Sequence, residues 1–409
     1  MKKNKINYLV GLSWLRFMLA LYLVIFHTIK NYPNIPDWII AATSAGYVST
    51  SLFFILSGFI LTHVYYGPQG SLKTTKTNFL VTRFFTLYPL HLLGFSLAAL
   101  IMFLQYMAVG QVLVAADLPL YQNSSNSEEF ITIVIHAPEV LFNALMHLLT
   151  LQAWNPLYST FNIPSWSISA LIFFYVIFAF SGKYLIKLKR PFLGLLFLNL
   201  LYLIPPLYFI YINDYGNIAT GILHTNPLVR IPEFLSGVLL HTVMQKIQWP
   251  KIKLVPFLIS LVLLISIQVL MIRLLMKYEA AGFYLAHNGA LLFVQLALVA
   301  LFSKMPVVPF EKFNKLIDRL GNATLSIFVL HLPLFYLFSK LEKIIKLNLA
   351  PDSSMSFFQR LKEVELSLAL YPLIITAIII ICVFTQENFV LKVRHPLRRF
   401  VERVYSTTH

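Results

Sequence analysis

The stretch that decides the fold runs from Tyr8 to Ile29 and reads YLVGLSWLRFMLALYLVIFHTI. About 20 apolar residues cross a hydrocarbon core about 30 Å thick, and this segment is long enough to do so. Lipid offers the backbone no water, so the segment must be a helix. Inside it sit two ionisable residues, Arg16 and His27. At about 100° per residue, eleven positions leave the two within about 20° on one face, about 16 Å apart along the axis. Such groups are costly in lipid, face the interior of a bundle, and mark functional positions. The plainer reading is that Arg16 snorkels to the headgroups and His27 caps the helix end.

The same texture continues outward over the chain. It has 409 residues, of which 58% are hydrophobic and 12% charged, with a mean hydropathy of +0.75. That leaves too little polar surface to cover a soluble core of this size. Apolar spans are expected near 8–29, 44–66, 80–107, 164–186, 192–212, 226–246, 253–276, 283–303, 317–341 and 366–391. The expected fold is therefore all-α, a polytopic membrane helical bundle of about ten transmembrane helices. Residues 1–391 form one transmembrane domain and 392–409 a basic cytoplasmic tail. No internal repeat is evident, and no soluble second domain.

The formal charge of +16 gathers in short segments, among them Lys2, Lys3 and Lys5, then Lys183, Lys187, Lys189 and Arg190, and finally Arg394, Arg398, Arg399 and Arg403. This is the positive-inside pattern, which directs both termini to the cytoplasm and the excess charge to anionic lipid headgroups rather than nucleic acid. The loop 108–163 carries Asp117, Glu128, Glu129 and Glu139 and no Lys or Arg, so it falls outside. Within it Leu141–Trp154 is apolar but short, and is expected to be a partial helix capping the outer surface. The loop 340–365 runs against the rule, with Lys343, Lys346, Arg360 and Lys362 on the outer side beside Asp352, Glu363 and Glu365. The single cysteine, Cys382, excludes an intramolecular disulfide. Arg16 within the first apolar segment, and the lack of a small-residue cleavage site, argue for a span rather than a cleavable signal.

The remaining intramembrane polar residues form two layers. Arg83 opens the third span near the level of Arg16, where two guanidinium groups suit an anionic phosphate; alternatively Arg83 only anchors the topology. Toward the outer side lie Trp166, Ser167 and Ser169, then Arg230 and Glu233, then His331. Arg230 and Glu233 are spaced i, i+3, which suits either mutual pairing or a site, a choice the spacing leaves open. His331 reads equally as a packing histidine. Ser57-Gly58 admits either a neighbouring helix or a ligand at close range. No metal-ligand cluster is visible.

Six blocks in order give these residues a common context. They are Arg16 with His27, FFILSGF at 53–59, RFFTLYP at 83–89, PSWSIS at 164–169, RIPEFLSG at 230–237 and LGNATLSIFVLHLP at 320–333, with Glu387 ahead of the tail. In this the chain resembles the acyltransferase family 3 membrane proteins, which O-acylate bacterial surface glycans. The resemblance implies a bacterial inner-membrane enzyme with no permanently bound cofactor. It would carry an acyl group, most simply acetyl, from cytoplasmic acyl-CoA to a hydroxyl of an extracytoplasmic glycan or lipid-linked glycan. Arg16 and Arg83, with Ser57 and Gly58, would hold the donor, and His27 would stand at the reaction centre as a base or as an acyl-carrying nucleophile. Trp166, Ser167, Ser169, Arg230, Glu233 and His331 would face the acceptor.

Two departures stand out. Leu171 occupies the place of a family carboxylate, so the chain must do without it, use Glu233, or be impaired. Thr86 replaces a further family arginine, so donor phosphate would be held more weakly or with help from Lys73 or Lys76. The competing readings are a transporter or flippase for a glycan or lipid-linked substrate, since buried Arg and His also line substrate pathways, and an inactive scaffold in a glycan-assembly complex.

Overall fold

A computed structural model describes residues 2–67, 70–118, 130–247, 252–306, 310–349, 360–361, 363–393 and 396. The helices are α1 Lys2–Thr28, α2 Asp37–Thr43, α3 Gly46–Tyr65, α4 Lys76–Val109, α5 Ala137–Leu148, α6 Trp166–Ile186, α7 Pro191–Tyr211 and α8 Asn217–Thr225. They continue with α9 Pro227–Lys246, α10 Leu254–Met276, α11 Glu279–His287, α12 Leu292–Ser303, α13 Glu311–Leu349 and α14 Tyr371–Thr385. Each of the ten expected spans is helical, and the tail expected over 392–409 lies almost wholly outside the described residues.

Nine spans among the described residues are long and apolar enough to cross a membrane. The tenth, α9, is a helix of 20 residues whose Arg230, Glu233, His241 and Lys246 dilute its apolar character. It tolerates them because it is buried: Arg230 and Glu233 are each 1% exposed. By contrast α10 turns Val255, Ile259, Val262 and Leu263 outward, as a helix does when lipid is its solvent.

The pair α3 and α9 forms the spine. A Cβ on Gly58 would lie 2.0 Å from the Phe234 carbonyl oxygen, and one on Gly237 would lie 1.9 Å from that of Ile55. Two glycines facing each other thus let the backbones touch. On either side of this spine lies an apolar core. One gathers Phe54, Phe79, Phe174, Phe178, Val329 and Ile378, the other Leu12, Ile55, Leu195, Leu239, Tyr284 and Val299.

The span expected at 283–303 is broken between α11 and α12, where Gly289 takes φ +99°. Only glycine enters that region without strain. The break frees the last carbonyls of α11, which need donors once buried. His287 O receives Arg230 Nη1 at 3.3 Å and the Tyr202 hydroxyl at 3.0 Å.

The partial helix expected at 141–154 is α5, which begins four residues earlier and ends by Leu148. The Glu139 carboxylate accepts from the His136 amide at 2.8 Å and caps its start. Its polarity is inverted, with Asn143 and His147 buried and Leu141, Phe142 and Leu145 exposed. Such a helix fits the interface between headgroups and acyl chains. The same loop also holds an antiparallel hairpin, β1 Val112–Asp117 against β2 Phe130–Ile135, the one departure from helix among the described elements. The basic residues at the far end of α13 are answered locally: Lys346 pairs with Glu342 at 2.9 Å, and Arg360 donates to Leu347 O at 3.2 Å.

Candidate active site

Two cavities lie between these helices, one toward each end of α1. The first, about 760 Å³, has Arg16 and Arg83 in its wall together with Lys315, Arg319, Asp318 and Glu387. Four cations against two carboxylates leave it net positive. Arg319 is tied to Glu387, its Nη2 donating at 2.8 Å, and Lys315 to Glu311 at 2.9 Å. Arg16 and Arg83 are less committed. Arg16 Nη2 donates to Ser13 Oγ at 3.2 Å, and Arg83 lies 4.6 Å over the Tyr65 ring. Each keeps a buried Nε–H that no described protein group accepts from. Unmade bonds on buried guanidinium groups are expensive, and a phosphate in the cavity would satisfy both.

Ser57 lines this arginine cavity, whereas Gly58 packs against α9. Thr86 lines it too, but spends its hydroxyl on Thr82 O at 2.6 Å. Lys73 and Lys76 take no part. Lys73 bonds the carbonyls of His63 and Val64, and Lys76 lies over the Phe180 ring. Lys315 and Arg319, which the sequence analysis did not single out, stand there in their place.

The second cavity, about 380 Å³, holds His27 with Tyr47, Asp117, Trp166, His224 and His287. His27 Nδ1 lies 2.9 Å from His331 Nε2, the two rings stacked with centroids 5.1 Å apart. Hydrogen bonding fixes which nitrogens carry protons. His331 Nδ1 faces the carbonyl oxygens of Ile327 and Phe328 at 3.0 and 2.8 Å, so it is the protonated nitrogen and Nε2 is bare. That bare nitrogen accepts from His27 Nδ1–H. His27 is left with a lone pair on Nε2, the nitrogen a general base needs. His331 is wholly buried, and this bond is its contact with the His27 ring.

The acceptor-side expectations divide. Trp166 lines the histidine cavity, while its neighbour Ser167 lines the arginine cavity. Ser169 belongs to neither wall and accepts from the Ala153 amide at 3.3 Å. Arg230 and Glu233 also line neither. Their side chains pair at 3.1 Å, with Ser51 Oγ accepting from Arg230 at 3.0 Å and Tyr202 donating to Glu233 at 2.7 Å. Arg230 and Tyr202 serve the broken end of α11, and Glu233 holds them both. Leu171 lies against the arginine cavity rather than the histidine cavity.

Thr50 and Phe328 are common to both walls, and they form the partition. Phe328 packs edge-on to Phe53 at 5.6 Å. Among the described residues no group of three or more His, Cys, Asp or Glu is arranged to hold a metal ion.

In the comparison to known proteins, a family model described as "Acyltransferase domain" matches residues 9–387. The chain belongs to this acyltransferase family. Acyltransferase MdmB of Streptomyces mycarofaciens is 31% identical to this acyltransferase over 139 residues, which is 33% of the present chain. The match spans only 28% of MdmB. No solved structure matches. Apart from Leu391, the residues lining both cavities of this acyltransferase fall within the matched range.

Proposed function

We propose that this acyltransferase is a membrane O-acyltransferase that moves an acyl group, most simply acetyl, from acyl-CoA to a hydroxyl of an extracytoplasmic glycan or lipid-linked glycan. The observation that carries the reading is the oriented His27 in a cavity that meets the arginine-lined one at Thr50 and Phe328. The basic segments favour a cytoplasmic side for the arginine cavity, with both termini there, in a bacterial cytoplasmic membrane. Arg16 and Arg83 take the donor phosphates, and Ser57 lies along the path of the donor arm. The thioester then reaches past Phe328 toward His27.

His27 Nε2 takes the proton of the acceptor hydroxyl as its oxygen attacks the thioester carbonyl. The tetrahedral intermediate collapses with cleavage of the C–S bond. The imidazolium returns the proton to the departing thiolate, so acyl-CoA and alcohol become ester and CoA thiol. The bond to His331 holds the ring in the reactive tautomer throughout.

The test is to add acetyl-labelled acetyl-CoA to inverted membrane vesicles and follow the label into glycan. Transfer dependent on His27 is the expected result. Intact glycan translocation without any labelled ester would refute the reading and favour a transporter.

A further inference from the structure

One hydrogen-bonded pair in the histidine cavity has no part in the scheme above. His224 of α8 and Asp117, the last residue of β1, are 107 positions apart in sequence, yet Nδ1 and Oδ2 lie 2.8 Å apart. Asp117 is the one carboxylate among the described residues lining this cavity. Its oxygen fixes the proton of His224 on Nδ1 and leaves Nε2 as an acceptor. The edge of the ring is braced against Trp166 at 5.0 Å between centroids.

A purely structural role, stapling the hairpin to α8, explains the pair poorly. Its side chains are 33% and 23% exposed, where even a charged pair contributes little to stability. The hairpin is already tied down, since the Ser159 amide donates to Ala115 O at 2.8 Å. A second observation points to a ligand. Tyr47 Oη and Asn288 Oδ1, both in the same cavity lining, are buried with no hydrogen-bond partner. Buried polar atoms left open in this way need partners from elsewhere. The set comprises a lone pair on His224, a hydroxyl on Tyr47 and a carbonyl on Asn288. That mixture of acceptors and donor matches several hydroxyl groups on one molecule, since each hydroxyl both gives and takes a hydrogen bond.

We propose that the Asp117–His224 pair is the acceptor-recognition element of this cavity, with His224 Nε2 accepting a hydrogen bond from a second hydroxyl of a polyhydroxylated ring whose first hydroxyl faces His27. The proposal rests on the reading of His27 as the transfer centre and names the substrate class of that same site. His224 is then a specificity residue, and Asp117 acts through it.

The full chain in lipid vesicles is given acetyl-CoA and either a methyl hexopyranoside or cyclohexanol, a ring of similar size with one hydroxyl. The wild type is expected to favour the pyranoside. His224→Ala and Asp117→Asn should raise KM for the pyranoside by about tenfold, the size of one hydrogen bond. Turnover with cyclohexanol should stay unchanged, so the discrimination disappears, and His224→Gln should recover part of it through its amide oxygen. Unaltered discrimination in both variants, or equal loss on both acceptors, would overturn the proposal. A parallel measurement is independent of transfer: the pyranoside should raise the melting temperature of the wild type and not of His224→Ala. If that difference holds while acetyl-CoA gives no product, the recognition element stands and the transfer reading falls. If no pyranoside stabilises the wild type, the recognition element falls.

Discussion

The arginine cavity and the histidine cavity are built from the same helices, α1, α3, α6 and α13, yet they work on different principles. The arginine cavity is about twice as large and holds permanent charge, with guanidinium groups left partly unsatisfied. The histidine cavity holds the imidazole rings of His27, His224 and His287, each fixed by a hydrogen bond to another ring, a carboxylate or a carbonyl. Permanent charge binds, whereas a tautomer held by its neighbours reacts. One helix supplies both ends because its face repeats after eleven residues.

The largest effect should come from His27→Ala. Loss of a general base is worth about 10²- to 10⁴-fold in turnover, while binding of labelled acyl-CoA should be unchanged. If binding falls in parallel, the two cavities are one site and the division fails. Arg16→Ala should act at the other end. Losing hydrogen bonds from a charged group, about 1.5–3 kcal/mol, weakens the donor KM by about 10- to 150-fold with little change in turnover. Arg16→Lys should recover only part, because an ammonium cannot pair in the bidentate manner.

A smaller effect is expected from His331→Ala, which frees the His27 ring to flip tautomer. About tenfold in turnover, one hydrogen bond, should be lost. The pH profile should shift with it, and no change should appear in the donor KM. An unchanged pH profile would return His331 to a packing role.

The smallest effect concerns the cover of the histidine end. Burial beneath α5 pushes His147 down to about 4 from its ordinary 6.5. The unfolded segment takes up that proton near 6.5, so the contribution of neutral His147 is complete above about pH 6.5. It is lost as pH falls toward 4. Amide protection of α5, corrected for intrinsic exchange, should drop over that window more than that of the first turns of α4. His147→Asn should flatten the response. Equal loss at both ends would mean the histidine end has no softer cover.

Much of this was legible residue by residue. Apolar runs located the spans, because lipid permits only helix, and the eleven-residue spacing placed Arg16 and His27 on one face. The hairpin was partly legible in the runs VLVAAD and FITIVI on either side of a polar stretch. Asn288-Gly289, a turn dipeptide inside an apolar run, was a signal for the break between α11 and α12. The pairing of Arg230 with Glu233 was foreseeable from i, i+3. Its purpose was not, since the carbonyl it serves lies 57 residues away. Ser57-Gly58 left a ligand and a neighbouring helix both open, because a small residue looks the same whether a ligand or a backbone approaches it, and at Gly58 it is the α9 backbone that approaches.

What the chain's order of residues determined by itself was a set of membrane helices and which faces of them carry charge, because hydropathy and helical period act within one segment. Only the tertiary structure decided that His27 rests on His331, 304 residues on, and that Asp117 meets His224. Hydrogen-bond partners depend on contacts of about 3 Å between distant segments, and no local period encodes those.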